Sequence, residues 1–392
     1  MNTTRILRHA NARNCIRLLR DKGPMSRADL ARELGATRTT IGYAVRELMD
    51  LGLVSSGGPA GLEGLAQDGI AQKGRPGTAV YIEPAGAYFF GAEISADHLT
   101  IVLSDLTLNP VCIKQVEVNL KNSVPEEIID LLLQWFEPMV AQAAIPESKI
   151  YGLGVSLSGI ITPDGRVFLP SLSAWHNINL SGMLRKRLPD SWVIQCCNDA
   201  AALALTLVDD LSEEDKEDLL VIMLATNGIG SARVRRGVID KGAHGIAGEV
   251  GLMRLSGEPS DVNATFQFLS GAAEIASFVD TSNPVETVLR NAEANKTNRN
   301  NRVLDKWSDV LATGLLNVVY LLDPAHIIMA GPLAVMYPRV SRRVDAILQK
   351  ALIPGLEHPR ISVPPPTRKI PAIGAAAMVR QHLFVLSQLI EE

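Results

Sequence analysis

The chain has 392 residues, which at roughly 100–200 residues per domain gives two to four domains and length for a large core. With 47% apolar and 20% charged residues it is globular rather than disordered, and 5% aromatics with 31 glycines suit an α/β protein. The net charge of −4 is uneven: residues 1–82 carry twelve Lys/Arg against seven Asp/Glu, a basic head that either meets a polyanion or reflects a chance surface imbalance.

The N-terminal run MNTTRILRHANARN has no apolar h-region, so no secretory signal is expected, and no 18-residue uncharged apolar stretch predicts a membrane span. Cys15, Cys112, Cys196 and Cys197 form no spaced framework and no CxxC, which predicts reduced thiols in a cytoplasmic protein. Ile6, Cys15, Ile16, Leu18 and Leu19 give a first helix an apolar face, and Asp21–Pro24 breaks it. Ser26 is a helix N-cap, with Asp29 placed to complete a capping box, and the helix Arg27–Leu34 follows. Gly35 allows the left-handed turn that ends it, and Thr37 caps a second helix from about Arg38 to Asp50. Ile41, Val45 and Leu48 mark its core face; Arg38, Thr39, Thr40, Tyr43 and Arg46 mark the other. A short helix, a turn and a helix whose start is rich in Arg and Thr match major-groove recognition geometry. Arg bonds guanine bidentately, and helix N-termini attract phosphate. Helix pairs of this kind also bind proteins; charge and spacing together favour DNA. Leu51–Val54 and Gly77–Ile82 predict a wing hairpin, and Arg75 in GRPG either enters a minor groove or only forms a turn.

Beyond Glu83-Pro84, strands are predicted at Tyr88–Ile94, Leu99–Leu103 and Val111–Val118, then a helix over Pro125–Ala144 and a strand over Ile150–Ser156. Leu180–Leu188 reads as helix, Trp192–Cys197 as strand and Asp199–Leu207 as helix. A second cycle predicts a strand at Leu219–Ala225, a turn at Gly228–Gly230 and a strand at Ser231–Val234. Helices follow near 270–279, 284–294 and 303–322, a strand at His326–Ala330, a helix at Val335–Leu352, a strand at Ile361–Val363 and a helix from Gly374 to about Leu389. This is a duplicated α/β unit, with a ligand expected in the cleft between the copies.

These residues resemble the ROK family (repressors, open reading frames, kinases) in its transcriptional-regulator branch. The resemblance runs through PMSRADLARELGATRTTIGYAVRELMDLGLV and KGRPGT in the head, then GLGVSLSGIITPDGRV, AWHNINL, CNDAAALAL, NGIGSARVRRGVIDKGAHGIAGEVGLM and IIMAGPL in order. It implies an actin-like fold of two ribonuclease-H-like lobes preceded by a winged helix-turn-helix. The expected domains are 1–82 for DNA, 83–200 for the first lobe with helix 371–392 packing back on it, and 201–370 for the second lobe. Family regulators respond to a sugar or sugar phosphate.

Against the family's kinases, the first phosphate loop, D-x-G-x-T, corresponds to Glu93-Ile94-Ser95-Ala96-Asp97, where a Cβ at Ser95 obstructs phosphate approach. The second phosphate turn is half kept as Thr226–Gly230, and the nucleotide-side Gly-Gly reads Ala330-Gly331-Pro332. Asp199 holds the kinase base position; without a phosphate cradle it is expected to accept bonds from ligand hydroxyls, to cap a helix beside Asn198, or both. The family's zinc ligands fall on Leu252, Thr265, Gln267 and Ala272, none of which makes an N/S zinc site, so no cofactor is expected. The resemblance carries effector contacts onto Asn198, Asp199, Glu249 and Glu274, with Gly159 on the wall and His244 either a further contact or structural.

The expected protein is a DNA-binding repressor, a homodimer or homotetramer on a double-stranded operator, with no catalytic residue and no membrane partner. Arg27, Thr37, Arg38, Thr39, Thr40, Tyr43, Arg46 and Arg75 are its expected DNA contacts. The competing readings are an ATP-dependent sugar kinase with an accessory head, and a regulator with a vestigial pocket whose input is a protein.

Overall fold

The computed structural model describes residues 10–57, 78–168, 173–208, 211–225, 228–258, 261–269, 298–364 and 370–385. Helix α1 (Ala10–Lys22) buries Ala12, Cys15, Ile16 and Leu19 along one face; Ile6 lies outside the described residues. A two-residue strand β1 (Met25–Ser26) leads into α2 (Arg27–Glu33), and α3 (Arg38–Asp50) follows a turn at Gly35, whose φ is +60°. Both predicted caps form. Ser26 Oγ accepts the Asp29 N–H and Thr37 Oγ1 accepts the Thr40 N–H, each at 3.1 Å. The core stripe of α3 is Ile41, Ala44, Val45 and Leu48, all buried.

The wing starts later than the sequence suggested. Leu51 is the C-cap of α3, Gly52 turns the chain with φ +70°, and strand β2 is Val54–Ser56. It pairs antiparallel with β3 (Ala79–Ile82), which takes β1 on its other side. Two residues of β1 are too few to show an alternation, so this third strand was invisible in the sequence. The wing tip, with Arg75, lies outside the described residues.

Strands β4 (Tyr88–Ile94), β5 (His98–Asp105) and β6 (Pro110–Glu117) form an antiparallel meander. The single helix expected over 125–144 is two, α4 (Pro125–Leu133) and α5 (Phe136–Ala143). Pro138 has no N–H to offer the Gln134 carbonyl, and the helix breaks there. Next come β7 (Ile150–Leu157), β8 (Ile160–Ile161), an antiparallel pair β9 (Arg166–Phe168) and β10 (Ile178–Asn179), α6 (Leu180–Arg185) and β11 (Val193–Asn198). The chain continues through α7 (Asp199–Val208), α8 (Glu213–Glu217), β12 (Asp218–Ala225), β13 (Gly228–Arg235) and β14 (Val238–Ile239). Then follow α9 (Phe266–Leu269), α10 (Asn298–Leu322), β15 (His326–Ala330), α11 (Tyr337–Ala351), β16 (Arg360–Ser362) and α12 (Pro371–Val385).

The two five-stranded sheets have one topology. The first runs β11-β7-β4-β5-β6 and the second β16-β15-β12-β13-β14, so each is ordered 5-4-1-2-3 counted from its own first strand. In both, strand 1 pairs antiparallel with strand 2 and parallel with strand 4. That is the duplicated α/β unit the sequence predicted.

The chain divides into two compact units, Met1–Ser158 with Gly165–Cys197 and Ala372–Glu392, and Gly159–Asp164 with Asn198–Pro371. The first therefore holds the head as well as the first sheet. The Glu83 N–H bonds the Leu53 carbonyl at 2.9 Å, and a Cβ on Gly86 would stand 2.5 Å from the Gly52 carbonyl oxygen. Helix α12 lies backbone-to-backbone on this sheet: a Cβ on Gly91 or Gly154 would stand 1.9 Å from the Ala372 or Ala375 oxygen. In the second unit, Leu220, Ile222 and Leu224 of β12 and Ile327 and Met329 of β15 pack with Trp307, Leu311, Leu315, Val340, Val344 and Leu348 of α10 and α11. Each fully buried aliphatic side chain contributes about 1.5–3 kcal/mol.

One expectation is corrected here. Gly228–Gly230 is not a turn but the start of β13, paired with Met223–Ala225; residues 226–227 lie outside the described residues. The helices expected near 270–279 and 284–294, with Ala272 and Glu274, also lie outside them.

Candidate nucleic-acid interface and effector site

Helix α3 presents its polar side outward. Arg38, Thr39 and Arg46 are exposed, and Tyr43 is 73% exposed, far more than an aromatic ring with a fold-stabilising role. Thr40 is half-buried, its hydroxyl 2.9 Å from that of Thr37, so these two threonines hold the helix start before either can meet a ligand. Arg27, at the start of α2, is exposed and reaches the Met49 sulfur. The face offers guanidinium forks, a hydroxyl and a phenol on a rigid, doubly capped scaffold.

The second unit gathers the other predicted residues. Asn198 ends β11 and caps α7: its Oδ1 accepts the Ala201 N–H at 2.7 Å, and its Nδ2 donates to Glu249 Oε1 at 2.8 Å. The amide therefore acts first as an orienter of Glu249. Asp199 Oδ1 accepts the Ala200 N–H at 2.8 Å and sits over Gly230 of β13, where a Cβ would lie 3.8 Å from it. Burial pushes the Glu249 carboxyl up to about 7 and the Asp199 charge adds to this, while the Asn198 bond opposes it. Two neighbouring carboxylates, one of them poised near neutrality, are a recurrent mark of a functional site.

Ser231 fixes the loop carrying Glu249. Its hydroxyl donates to the Gly248 carbonyl at 2.5 Å and accepts the Val250 N–H at 3.0 Å. The sequence predicted Ser231 as the start of a strand; a polar residue buried on that strand was the missed signal. Further along the loop, a Cβ on Gly245 would stand 2.2 Å from the Ile161 carbonyl oxygen, so the stretch holding His244 lies against Gly159–Asp164. His244 is exposed, and Gly159 has φ +124°, which favours glycine.

In the first unit, Glu93 is the last residue but one of β4 and Ser95–Asp97 form the hairpin loop, closed by the Ser95 N–H on the His98 carbonyl at 2.9 Å. The His98 ring lies 3.8 Å from Glu93 and 2.7 Å from Asp97. The Glu93 carboxylate, reinforced by Asp97, which hydrogen-bonds the ring, raises it to about 9 against the effect of burial. Where a phosphate loop was sought there is a carboxylate–imidazolium–carboxylate group, and the sequence reading missed His98. At the zinc positions, Leu252 is 46% exposed, Thr265 is buried beside Arg254, and Gln267 approaches Gly228. An alkyl chain, a hydroxyl and an amide do not fit a tetrahedral N/S site.

The ROK family profile matches residues 90–382, and a winged helix-turn-helix DNA-binding profile matches 11–55. The chain is 21% identical to a xylose repressor of Bacillus spizizenii over 386 residues, 96% of this chain and 97% of the relative. It is 24% identical to an N-acetyl-D-glucosamine kinase of Pectobacterium atrosepticum over 292 residues, 70% of this chain and 92% of that one. A crystal structure of a ROK family transcriptional regulator, a homologue of the E. coli Mlc protein, superposes with a TM-score of 0.74 at 18% identity, covering 97% of this chain and 98% of that one.

Proposed function

The chain belongs to the ROK family and carries a winged helix-turn-helix head, and on that premise we propose that it is a sequence-specific DNA-binding repressor whose effector is a sugar or sugar derivative. The observation that carries the reading is α3, capped at Thr37 with Arg38, Thr39, Tyr43 and Arg46 turned to solvent. Its N-terminal turn enters a major groove, and two heads in a homodimer or homotetramer read half-sites one helical turn apart, about 34–36 Å. Its setting is the bacterial cytoplasm, where a DNA-binding repressor meets its operator. Among the described residues no helix is long and apolar enough to cross a membrane. A mobility-shift titration on genomic fragments tests this: binding that weakens steeply with salt is expected, and none at any salt defeats it.

Asp199 and Glu249 supply acceptors for adjacent ligand hydroxyls, Asn198 aims Glu249, and Glu274 is assigned by resemblance alone. Thermal-shift screening with xylose, N-acetylglucosamine and their phosphates should raise the melting temperature with one of them. No rise with any sugar favours a protein input. The kinase alternative is motivated by Asp199 and by the relatives that are kinases. Against it stand Ser95 and the Glu93–His98–Asp97 group, whose carboxylates would repel a triphosphate. A coupled ADP-release assay should show no turnover; turnover lost in Asp199→Asn would reverse the assignment. Leu252, Thr265 and Gln267 offer no N/S donors for a tetrahedral zinc site, so elemental analysis of the purified chain should find no zinc.

A further inference from the structure

Gly42 stands in the interior of α3, one turn after Arg38 and one turn before Arg46. Glycine is the poorest non-proline residue for a helix interior, so its presence calls for a reason. Interior glycines are commonly explained by close packing, as at Gly314 of α10, where a Cβ would stand 2.5 Å from the Phe266 ring. At Gly42 a Cβ would meet nothing within 4 Å, and its φ is not in the left-handed region. Neither packing among the described residues nor backbone conformation requires it. The chain has left a gap between two exposed guanidinium side chains on the same ridge of the helix.

We propose that Gly42 is a specificity-determining residue that lets the helix backbone approach a base edge and admits the C5-methyl group of a thymine. The proposal rests on the DNA-binding reading above. The floor of the gap is Cα–H and helical backbone whose N–H and C=O groups are already bonded along α3, so it offers no hydrogen bond. It can read only an apolar substituent, and in the major groove the thymine methyl is the apolar one. Arg38 and Arg46 read or clamp the steps on either side, and the missing side chain sets how deep the helix sits.

The test uses the intact chain. A duplex is first selected from random-sequence DNA by the wild type, and then Gly42→Ala is compared with it. Alanine favours the helix, so the variant's melting temperature should stay equal or rise. Its affinity for the selected duplex should fall tenfold or more, while its salt-dependent affinity for an unrelated duplex is unchanged. Replacing the thymines of the selected duplex one by one with uracil should identify one position where the wild type loses several-fold and the variant loses nothing. A variant that binds the selected duplex as tightly as wild type, or a wild type indifferent to every uracil, overturns the proposal and leaves the DNA-binding reading standing. A wild type that selects no sequence overturns both.

Discussion

Replacing Glu249 with Gln should make the protein more stable at pH 8 and less able to hold its effector. Glu249 ionises at about 7 in the folded chain, against 4.5 for the free group. A shift of one unit corresponds to 1.36 kcal/mol, so ionising this carboxyl inside the fold costs about 3 kcal/mol before allowance for partial solvent screening, and about 2 after it. The folded state binds more protons than the unfolded one between pH 4.5 and 7. Stability is therefore undiminished at and below 4.5, falls as pH rises through that window, and carries the whole penalty above 7. Gln keeps an acceptor for Asn198 Nδ2, which now bonds Glu249 Oε1 at 2.8 Å, and has no charge to bury. Denaturant titrations at steps from pH 4.5 to 8 should show wild type and variant converging at the acid end and separating by about 2 kcal/mol at the other. Curves that stay parallel across the range would refute the account, because they would mean that water solvates the Glu249 carboxylate and its charge carries no burial cost.

Arg38→Ala should weaken operator binding by roughly tenfold or more, with Arg46→Ala next and folding unaffected, as read by mobility shift beside a thermal melt. Gly91→Val should abolish the folded first unit or lower its melting point sharply, since the Cβ position is 1.9 Å from the Ala372 oxygen; circular dichroism melts report it. The His98 ring, raised to about 9, contributes stability that is complete below 6.5 and is lost as pH rises through 9. His98→Gln should flatten that alkaline loss, and an unchanged alkaline slope would place the loss elsewhere.

The head was legible because its signals are local. Ser26, Thr37 and Gly35 act within one helical turn, and the apolar spacing of Ile41, Val45 and Leu48 fixes the buried face without reference to the rest of the chain. Strand β1 escaped because two residues have no period, and the α4–α5 break because only the missing N–H of Pro138 marks it. In the second unit, CNDAAALAL located Asn198 and Asp199, but no spacing rule joins residue 198 to residue 249. Their hydrogen bond depends on β13 packing against both α7 and the loop that carries Glu249, and on Ser231 pinning that loop. His98 was missed for the opposite reason. It is close in sequence to Glu93 and Asp97, but only the hairpin turns the three groups toward one another.

Effector binding at this carboxylate pair should release protons. Hydroxyl groups that donate to Glu249 stabilise its ionised form, which the fold now holds back by burial and by the Asp199 charge. Binding then lowers the Glu249 value from about 7, and a fraction of a proton leaves for each ligand bound near neutrality. By linkage, affinity rises with pH through that range and levels off once the free protein is already ionised. The same coupling gives the ligand a lever on conformation, because a ligand moves a two-state protein only by its difference in affinity for the two states, about 5.5 kcal/mol for a swing from 1:99 to 99:1. A state in which Asn198 and Glu249 are aligned for the hydroxyls is favoured over one in which they are not, and Ser231 keeps the loop in the aligned form. Calorimetry of the responding sugar in two buffers of different ionisation enthalpy, at pH 6.5 and 8, measures the proton count directly. Release at 6.5 that vanishes at 8 and is absent in Glu249→Gln is the expected pattern; proton uptake at 6.5 would mean that the ligand buries the carboxyl further instead of bonding it.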